Sequence, residues 1–454
     1  MDQTESHFAA PPPVTLAQAT WYWLKLGCTS FGGPAGQIAI MHHDLVEKKR
    51  WLSEKRFLHA LNYCMVLPGP EAQQLAVYIG WLMHRTWGGI IAGTLFVLPA
   101  FFLLLILAWI YMAYGTLPAV AGVLYGIKPA VVALVTFAAY RIGHKILKNP
   151  LLWAIAIFSF VAIFVFHLPF PLIILIAALI GYIGGHHAPT YFNASSSHHT
   201  KQAQYGAALI DDHSAISAHA VFSWHKLARV LAVGVGIWLV AMTFLYVRYG
   251  WENTYTQMGW FFTKAALLTF GGAYAVLPYV YQGAVENYHW LSATQMMDGL
   301  ALGETTPGPL IIVITFIGFV GGWNHAVLGT DAVLISAWVA ASIATFFTFL
   351  PSFIFIFMGA PFIETTRGNL KLTAPLTAIT AAVVGVIASL AIFFAYHVFW
   401  PTGLAGGSAA WLAIDWFAAG LAFGATIVLV RYKVGVIPTI LACGMLGMAW
   451  KLLG

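Results

Sequence analysis

Charge is what this chain has least of: only 8% of its 454 residues are Asp, Glu, Lys or Arg, against about 25% in ordinary soluble domains. Residues 89–112, 151–166, 333–358, 376–396 and 411–430 are nearly charge-free, and a spanning helix needs roughly 20 apolar residues. The composition predicts an all-α polytopic membrane protein. Strict apolar–polar alternation is missing, which argues against an outer-membrane barrel. Cysteine is scarce too. Cys28, Cys64 and Cys443 stand in apolar surroundings with no CxxC pair, so neither a disulfide framework nor a structural zinc is expected. There is no Ser-His-Asp signature, no GxxxxGK[ST] phosphate loop and no HExxH. Nothing marks an ATPase, a hydrolase or any catalytic residue, and no metal or cofactor is expected. The N-terminus has no basic segment ahead of an apolar stretch, so no cleavable signal peptide is expected. The net charge of +6 is no nucleic-acid signal and acquires meaning only when the charges are placed along the chain.

What the chain does have is a repeat at constant spacing. Phe31-Gly32-Gly33 recurs as Phe270-Gly271-Gly272, Lys25 as Lys264, Trp51-Leu52-Ser53 as Trp290-Leu291-Ser292, and Pro68-Gly69-Pro70 as Pro307-Gly308-Pro309, always 239 residues on. Further along the spacing becomes 252, with Leu98-Pro99 matching Leu350-Pro351, so the second copy carries 13 extra residues between these landmarks. A repeat of this kind decides architecture. The divisions are a polar tail over 1–14, a first copy over 15–185, a His/Ser-rich linker with a connecting helix over 186–258, and a second copy over 259–454. Within the connector, 186–226 reads as a flexible solvated loop and 227–247 as an apolar helix. Each copy has room for four or five full spans.

Charge placement orients the copies. The first copy carries Lys48, Lys49, Arg50, Lys55, Arg56, Arg85, Arg141, Lys145 and Lys148, whereas the matching stretches 283–295 and 393–400 are mostly uncharged or acidic. The second copy carries Arg367, Lys371, Arg431 and Lys433, opposite first-copy loops 115–119 and 164–170 that have no basic residue. Basic loops favour the cytoplasmic side. Equivalent loops with opposite bias predict two inverted-topology repeats related by a pseudo-two-fold axis in the membrane plane. All nine first-copy cations fall on one face only if 57–84 enters, turns at Pro68-Gly69-Pro70 and returns. Re-entrant hairpins are therefore expected at both PGP elements, while the FGG segments either cross or re-enter.

These breaks have chemical consequences. Proline removes an amide donor, glycine takes up angles that other residues resist, and irregular backbone at membrane depth survives only against protein or a watery cavity. After Pro70 a helix should start through Glu71, Gln73, Gln74 and Tyr78, and after Gly33 another, with twins near Leu310 and Ala273. Their free N–H groups and positive dipole ends make an anion cradle. Lys25 and Lys264 each stand six residues before an FGG in an apolar helix, where a lysine costs roughly 2.5–3.5 kcal/mol at the bilayer centre. They either serve the anion or snorkel to the interface. Lys128, beside Pro129, is a further candidate cation. Glu71 at a helix start and Glu304 near a helix end either exchange protons as an anion comes and goes or act as a cap and a local hydrogen-bonding group. Asp298, beside Met296 and Met297, reads as structural or loop-facing. His42-His43 and His186-His187 lack metal-site spacing.

FGGPAGQIAIMHHDLVEKKRWLSEKRFLHALNYCMVLPGPEAQQLAVYIGW and FGGAYAVLPYVYQGAVENYHWLSATQMMDGLALGETTPGP together resemble the paired signature of the chromate ion transporter family, in its duplicated, long-chain bacterial form. The likeness covers about 15–185 and 259–450. It implies a multi-pass inner-membrane protein that exports chromate, driven by the proton-motive force, with protons, the oxyanion and the lipid bilayer as its partners. Homodimeric assembly and sulfate or another oxyanion as cargo stay open, as does an anion channel of the same fold. Chromate is a tetrahedral dianion, and expelling it from a negative-inside cell gains about 2.3 kcal/mol per charge per 100 mV. The helix breaks and apolar-helix lysines themselves predict an anion site of Lys25, Phe31, Gly32, Gly33, Pro68, Gly69, Pro70, Gln74, Lys264, Phe270, Gly271, Gly272, Pro307, Gly308 and Pro309, and the resemblance adds the name of the cargo.

Overall fold

The computed structural model describes residues 11–31, 33–187, 192, 206–211, 219–270, 272–366, 373–401 and 414–453. Among these residues there are 16 α-helices and a single isolated β-bridge. The first copy supplies α1 (Leu16–Thr29), α2 (Gly33–His42), α3 (Glu54–Cys64), α4 (Glu71–Tyr114), α5 (Pro118–Ile146), α6 (Pro150–Phe164) and α7 (Phe170–His187). The connecting helix is α8 (Trp224–Tyr249). The second copy supplies α9 (Thr254–Leu267), α10 (Ala273–Tyr281), α11 (Ala293–Thr305), α12 (Val313–His325), α13 (Val333–Thr366), α14 (Thr373–Phe399), α15 (Trp416–Arg431) and α16 (Val436–Leu453). Among the described residues seven helices are long and apolar enough to cross a membrane, and three shorter ones are apolar. The chain is an all-α, multi-pass membrane protein. Apart from the connecting helix, each copy contributes three of the long helices, fewer than the four or five spans expected, and the shorter apolar ones are α6, the stretch Leu310–His325 and α15.

Local sequence sets the helix starts. Thr15, Ser53, Asn149, Ser292 and Asp415 each accept a backbone N–H from the first turn of the helix that follows, and proline opens α5 and α6 where its missing donor costs nothing. The helices next to the FGG elements, α1 and α9, have 14 residues each. That is about 21 Å of helix, too short to cross the roughly 30 Å hydrocarbon layer alone.

Rare backbone features repeat at the same spacing as the sequence. The π-helical turns His43–Lys48 and Gln282–Asn287 stand 239 apart, as do Arg50 and His289, both at φ 51°. In each copy the helix that leaves the PGP element soon doubles back. In α4 the reversal falls at His84 and Arg85, which divides it into arms 71–83 and 86–114. Gly80 and Gly88 lie face to face across the arms, so a side chain on either would collide with the other's carbonyl oxygen. In the second copy α12 and α13 form the equivalent hairpin, with Gly318 and Gly322 against Ala340 and Ala337. The 13 extra residues fall here, lengthening both arms and the connection between them.

The long helices are shared. The hairpin core of the first copy, built on Trp23, Phe57, Tyr78 and Phe96, takes in Ile356, Ala360 and Ile363 from the far half of α13. The far half of α4, Val97 to Ala108, enters the larger core, which α5, α6 and α7 share with the second copy. One linker segment departs from the expectation of a loose solvated loop. The Leu209 and Ile210 amides donate to the Arg50 and Trp51 carbonyls, and the Ser53 amide to Ile210, at 2.9, 3.0 and 3.1 Å. These backbone bonds seat 206–211 against the basic loop of the first copy. The connecting helix α8 exposes Val233, Ile237, Val240 and Phe244, an apolar face suited to lipid.

Candidate functional site

The helices break where the sequence placed glycine and proline. Gly33, Gly272, Gly69 and Gly308 have φ of 70°, 100°, 128° and 89°, a region L side chains enter at a cost. Gly32 and Gly271 lie outside the described residues. The Gly69 amide donates to the Thr269 carbonyl at 2.7 Å, and the Gly308 amide to the Ser30 carbonyl at 2.9 Å. Residues 30 and 269 are themselves 239 apart, so each PGP corner is held by the residue just before the FGG of the other copy. Gly69 also abuts Ser352 and Gly308 abuts Ala100, positions related by the later spacing of 252. Gly69, Pro70, Pro307, Gly308 and Pro309 are buried and Pro68 is half-buried. Phe31 is exposed and Phe270 half-buried.

Because the glycine amides are engaged in this clasp, the donors left at the breaks are those that follow. The amides of Glu71, Ala72 and Gln73 have no carbonyl four residues back within their helix, and the same holds for Leu310 and Ile311. Polar side chains lie at both breaks. The Gln74 carboxamide donates to the Pro68 carbonyl at 2.7 Å, and that of Gln37 donates to the Gly308 carbonyl. Gln37, Gln73 and Gln74 have no measurable exposure. Both ends of Gln73, Oε1 of Gln37 and Gln74, and the hydroxyls of Ser30 and Ser352 are buried with no partner among the described residues. An unpaired buried polar group costs about 1–3 kcal/mol, which makes these atoms candidates for contact with a polar occupant. The sequence places Gln73 only on the helix start after Pro70, and it does not single out Gln37, Ser30 or Ser352. A glutamine inside the apolar run GPAGQIAIM was the available signal.

The proposed cations are dispersed. Lys25 is on the exposed face of α1 and lines an 810 Å³ groove with Asp44, Lys48 and Lys49. Lys264 is half-buried, its ammonium 5.7 Å from the Trp260 ring centre. Three further cations lie along α5, each within electrostatic reach of a carboxylate: Lys128 of Asp298, Arg141 of Glu304, and Lys145 of Glu71. Among the described residues none of the three closes to an ion pair within 4.0 Å. Glu71 and Glu304 are half-buried, and Glu304 accepts from the Tyr274 hydroxyl. Asp298 is not loop-facing. It is buried in α11 and accepts from the Tyr111 hydroxyl at 3.0 Å. His42 and His43 both reach Glu47, at 3.1 and 2.7 Å, and His43 foremost holds that carboxyl below the usual range.

One buried ion pair was not foreseen. Arg56 of α3 bonds to Glu364 of α13, and Tyr78 donates to the same carboxylate at 2.5 Å. The matching junction between α11 and α4 has Gln295 against Met112. The spacings of 239 and 252 map Arg56 onto Gln295 and Met112 onto Glu364.

A model of the chromate transporter family matches residues 17–182 and 256–448. The chain is 33% identical over 452 residues to the chromate transport protein of Pseudomonas aeruginosa, across 97% of this chain and 93% of that protein. It is 29% identical over 405 residues to the chromate transport protein of Cupriavidus metallidurans, across 85% and 84%. No solved structure matches the chain. Relatives with these names point to a transporter rather than an enzyme.

Proposed function

The chain belongs to the chromate transporter family, and from that premise we propose a secondary active transporter that exports chromate from the cytoplasm across the bacterial inner membrane in exchange for protons. Relatives that are chromate transport proteins support the cargo. The reciprocal clasp of Gly69 on Thr269 and Gly308 on Ser30 carries the reading. Each clasp sets the PGP helix start of one copy against the FGG break of the other, and amide donors and positive dipole ends of this kind suit a tetrahedral dianion.

In this reading the anion is held by the backbone around Phe31, Gly32, Gly33, Pro68, Gly69 and Pro70 and around Phe270, Gly271, Gly272, Pro307, Gly308 and Pro309. Gln74, Lys25, Lys264 and Lys128 assist. Glu71 or Glu304 carries the proton, since each faces a cation without contact and can lose or gain charge as the anion passes. The copies are inverted repeats that rock against each other around the clasp. The opposite bias of their basic loops supports that orientation.

The test is chromate flux in proteoliposomes. An imposed proton gradient should drive chromate uphill, and Glu71→Gln with Glu304→Gln should remove that drive. Flux that only runs downhill assigns a channel, and sulfate moving in preference to chromate assigns a different oxyanion. No flux of either anion refutes the proposal.

A further inference from the structure

We propose that Gln37 and Gln74 are positioning residues that cap the carbonyl groups of the two PGP breaks and thereby make the site selective for doubly charged oxyanions. This rests on the oxyanion site proposed above. A broken helix presents two opposed ends, with free amides after the break and free carbonyls before it. At the PGP turns, beyond the ends of α3 and α11, the carbonyls of Pro68 and Gly308 likewise present partial negative charge. An anion seated at the junction would be attracted by one and repelled by the other.

Each PGP element has one carboxamide turned on its carbonyls. Gln74 of α4 donates to Pro68 of its own copy at 2.7 Å. Gln37 of α2 crosses to the other copy, donating to the Gly308 carbonyl and, at 3.4 Å, to that of Ser30. Both lie in apolar helices, fully buried, where the equivalent second-copy residues are Val276 and Val313. The caps are thus an addition to the repeat and not an inheritance of it. A carboxamide lowers the negative charge at the carbonyl without adding a net charge of its own. The neighbouring hydroxyls complete the arrangement. Ser352 and Gln74 flank Gly69, and Ser30 and Gln37 flank the Gly308 clasp. A hydroxyl hydrogen turns to whichever acceptor is present, so Ser30 and Ser352 can donate to cargo or to the unpartnered carboxamide oxygens.

Coulomb energy is proportional to ligand charge. An uncapped carbonyl therefore penalises a dianion twice as much in free energy as a monoanion of the same shape, and affinities respond as a square. The experiment is calorimetric binding of chromate and of perrhenate, a tetrahedral monoanion, to the purified full chain in detergent at alkaline pH. For Gln74→Met or Gln37→Met, a loss of about tenfold for chromate should accompany a loss of about threefold for perrhenate. Melting temperature and elution volume establish that the variant is folded. The two residues stand on different helices, so either variant carries the test if the other fails to fold. Equal losses for both anions, or no loss, would show a packing role and overturn the proposal. Sodium-dependent transport abolished by either change would assign the carboxamide oxygens to a coupling cation and overturn it too. If the unmodified protein binds neither anion, the oxyanion site itself is wrong.

Discussion

Replacing Arg56 by Met strands a carboxylate in the interior. Glu364 is 2% exposed and Arg56 7%, so neither charge has bulk water to fall back on. Removing one partner of such a pair costs about 3–5 kcal/mol, because the other is left buried and uncompensated. Tyr78 still donates to Glu364 at 2.5 Å, which places Arg56→Met near the lower end of that range. Glu364→Leu strands the guanidinium, which keeps the Asp211 carbonyl at 3.3 Å and other contacts, and should cost a similar amount. The double variant Arg56→Met with Glu364→Leu removes both charges and strands chiefly the Tyr78 hydroxyl, at about 1–3 kcal/mol. The coupling should therefore be several kcal/mol, far above the roughly 0.5 kcal/mol within which independent sites add. Denaturant titration of the four proteins in detergent micelles closes the cycle. Additive single effects would refute the view that this pair joins α3 of one copy to α13 of the other.

Gly69→Ala should be the more damaging of the two PGP glycine changes. It forces a side chain to φ 128° and within 2.5 Å of the Gln74 carboxamide, whereas Gly308→Ala meets Ala100 at 2.9 Å. Backbone strain of about 1–3 kcal/mol is expected at each, and thermal melts with chromate flux would expose the opposite order. Lys25→Ala and Lys264→Ala should each lower chromate flux. If both leave flux and resistance intact, the lysines only snorkel. Single cysteines in 44–56 and 283–295 should react with an impermeant maleimide from opposite faces, and labelling from one face would exclude inverted copies.

The repeat was legible because glycine and proline at fixed spacing dictate backbone form, and the breaks fall where those residues stand. What binds the copies was not legible. The Gly69 and Gly308 clasps use main-chain atoms of Thr269 and Ser30, whose side-chain identity is irrelevant to the bond. Arg56 was read as one of nine loop cations marking the cytoplasmic face, yet the fold buries it on Glu364. Only their twins hinted otherwise, since Gln295 and Met112 are both uncharged. Asp298 read as structural or loop-facing from its neighbours, and the structural alternative is the one the fold supports. Tyr111, nearly 190 residues earlier in the chain, gives it a buried partner. Docking of 206–211 on the loop at Arg50 and Trp51 is likewise main-chain pairing that no side-chain pattern encodes.

Anomalous scattering at the chromium edge, from crystals of the protein grown with chromate, would locate the anion itself. A chromium peak within hydrogen-bonding reach of the amides after Pro70 and Pro309, beside Ser30 and Ser352, is the expected result. A peak confined to the outer groove of Lys25, Lys48 and Lys49, with none at the interlocked breaks, would contradict a cargo site made of helix starts.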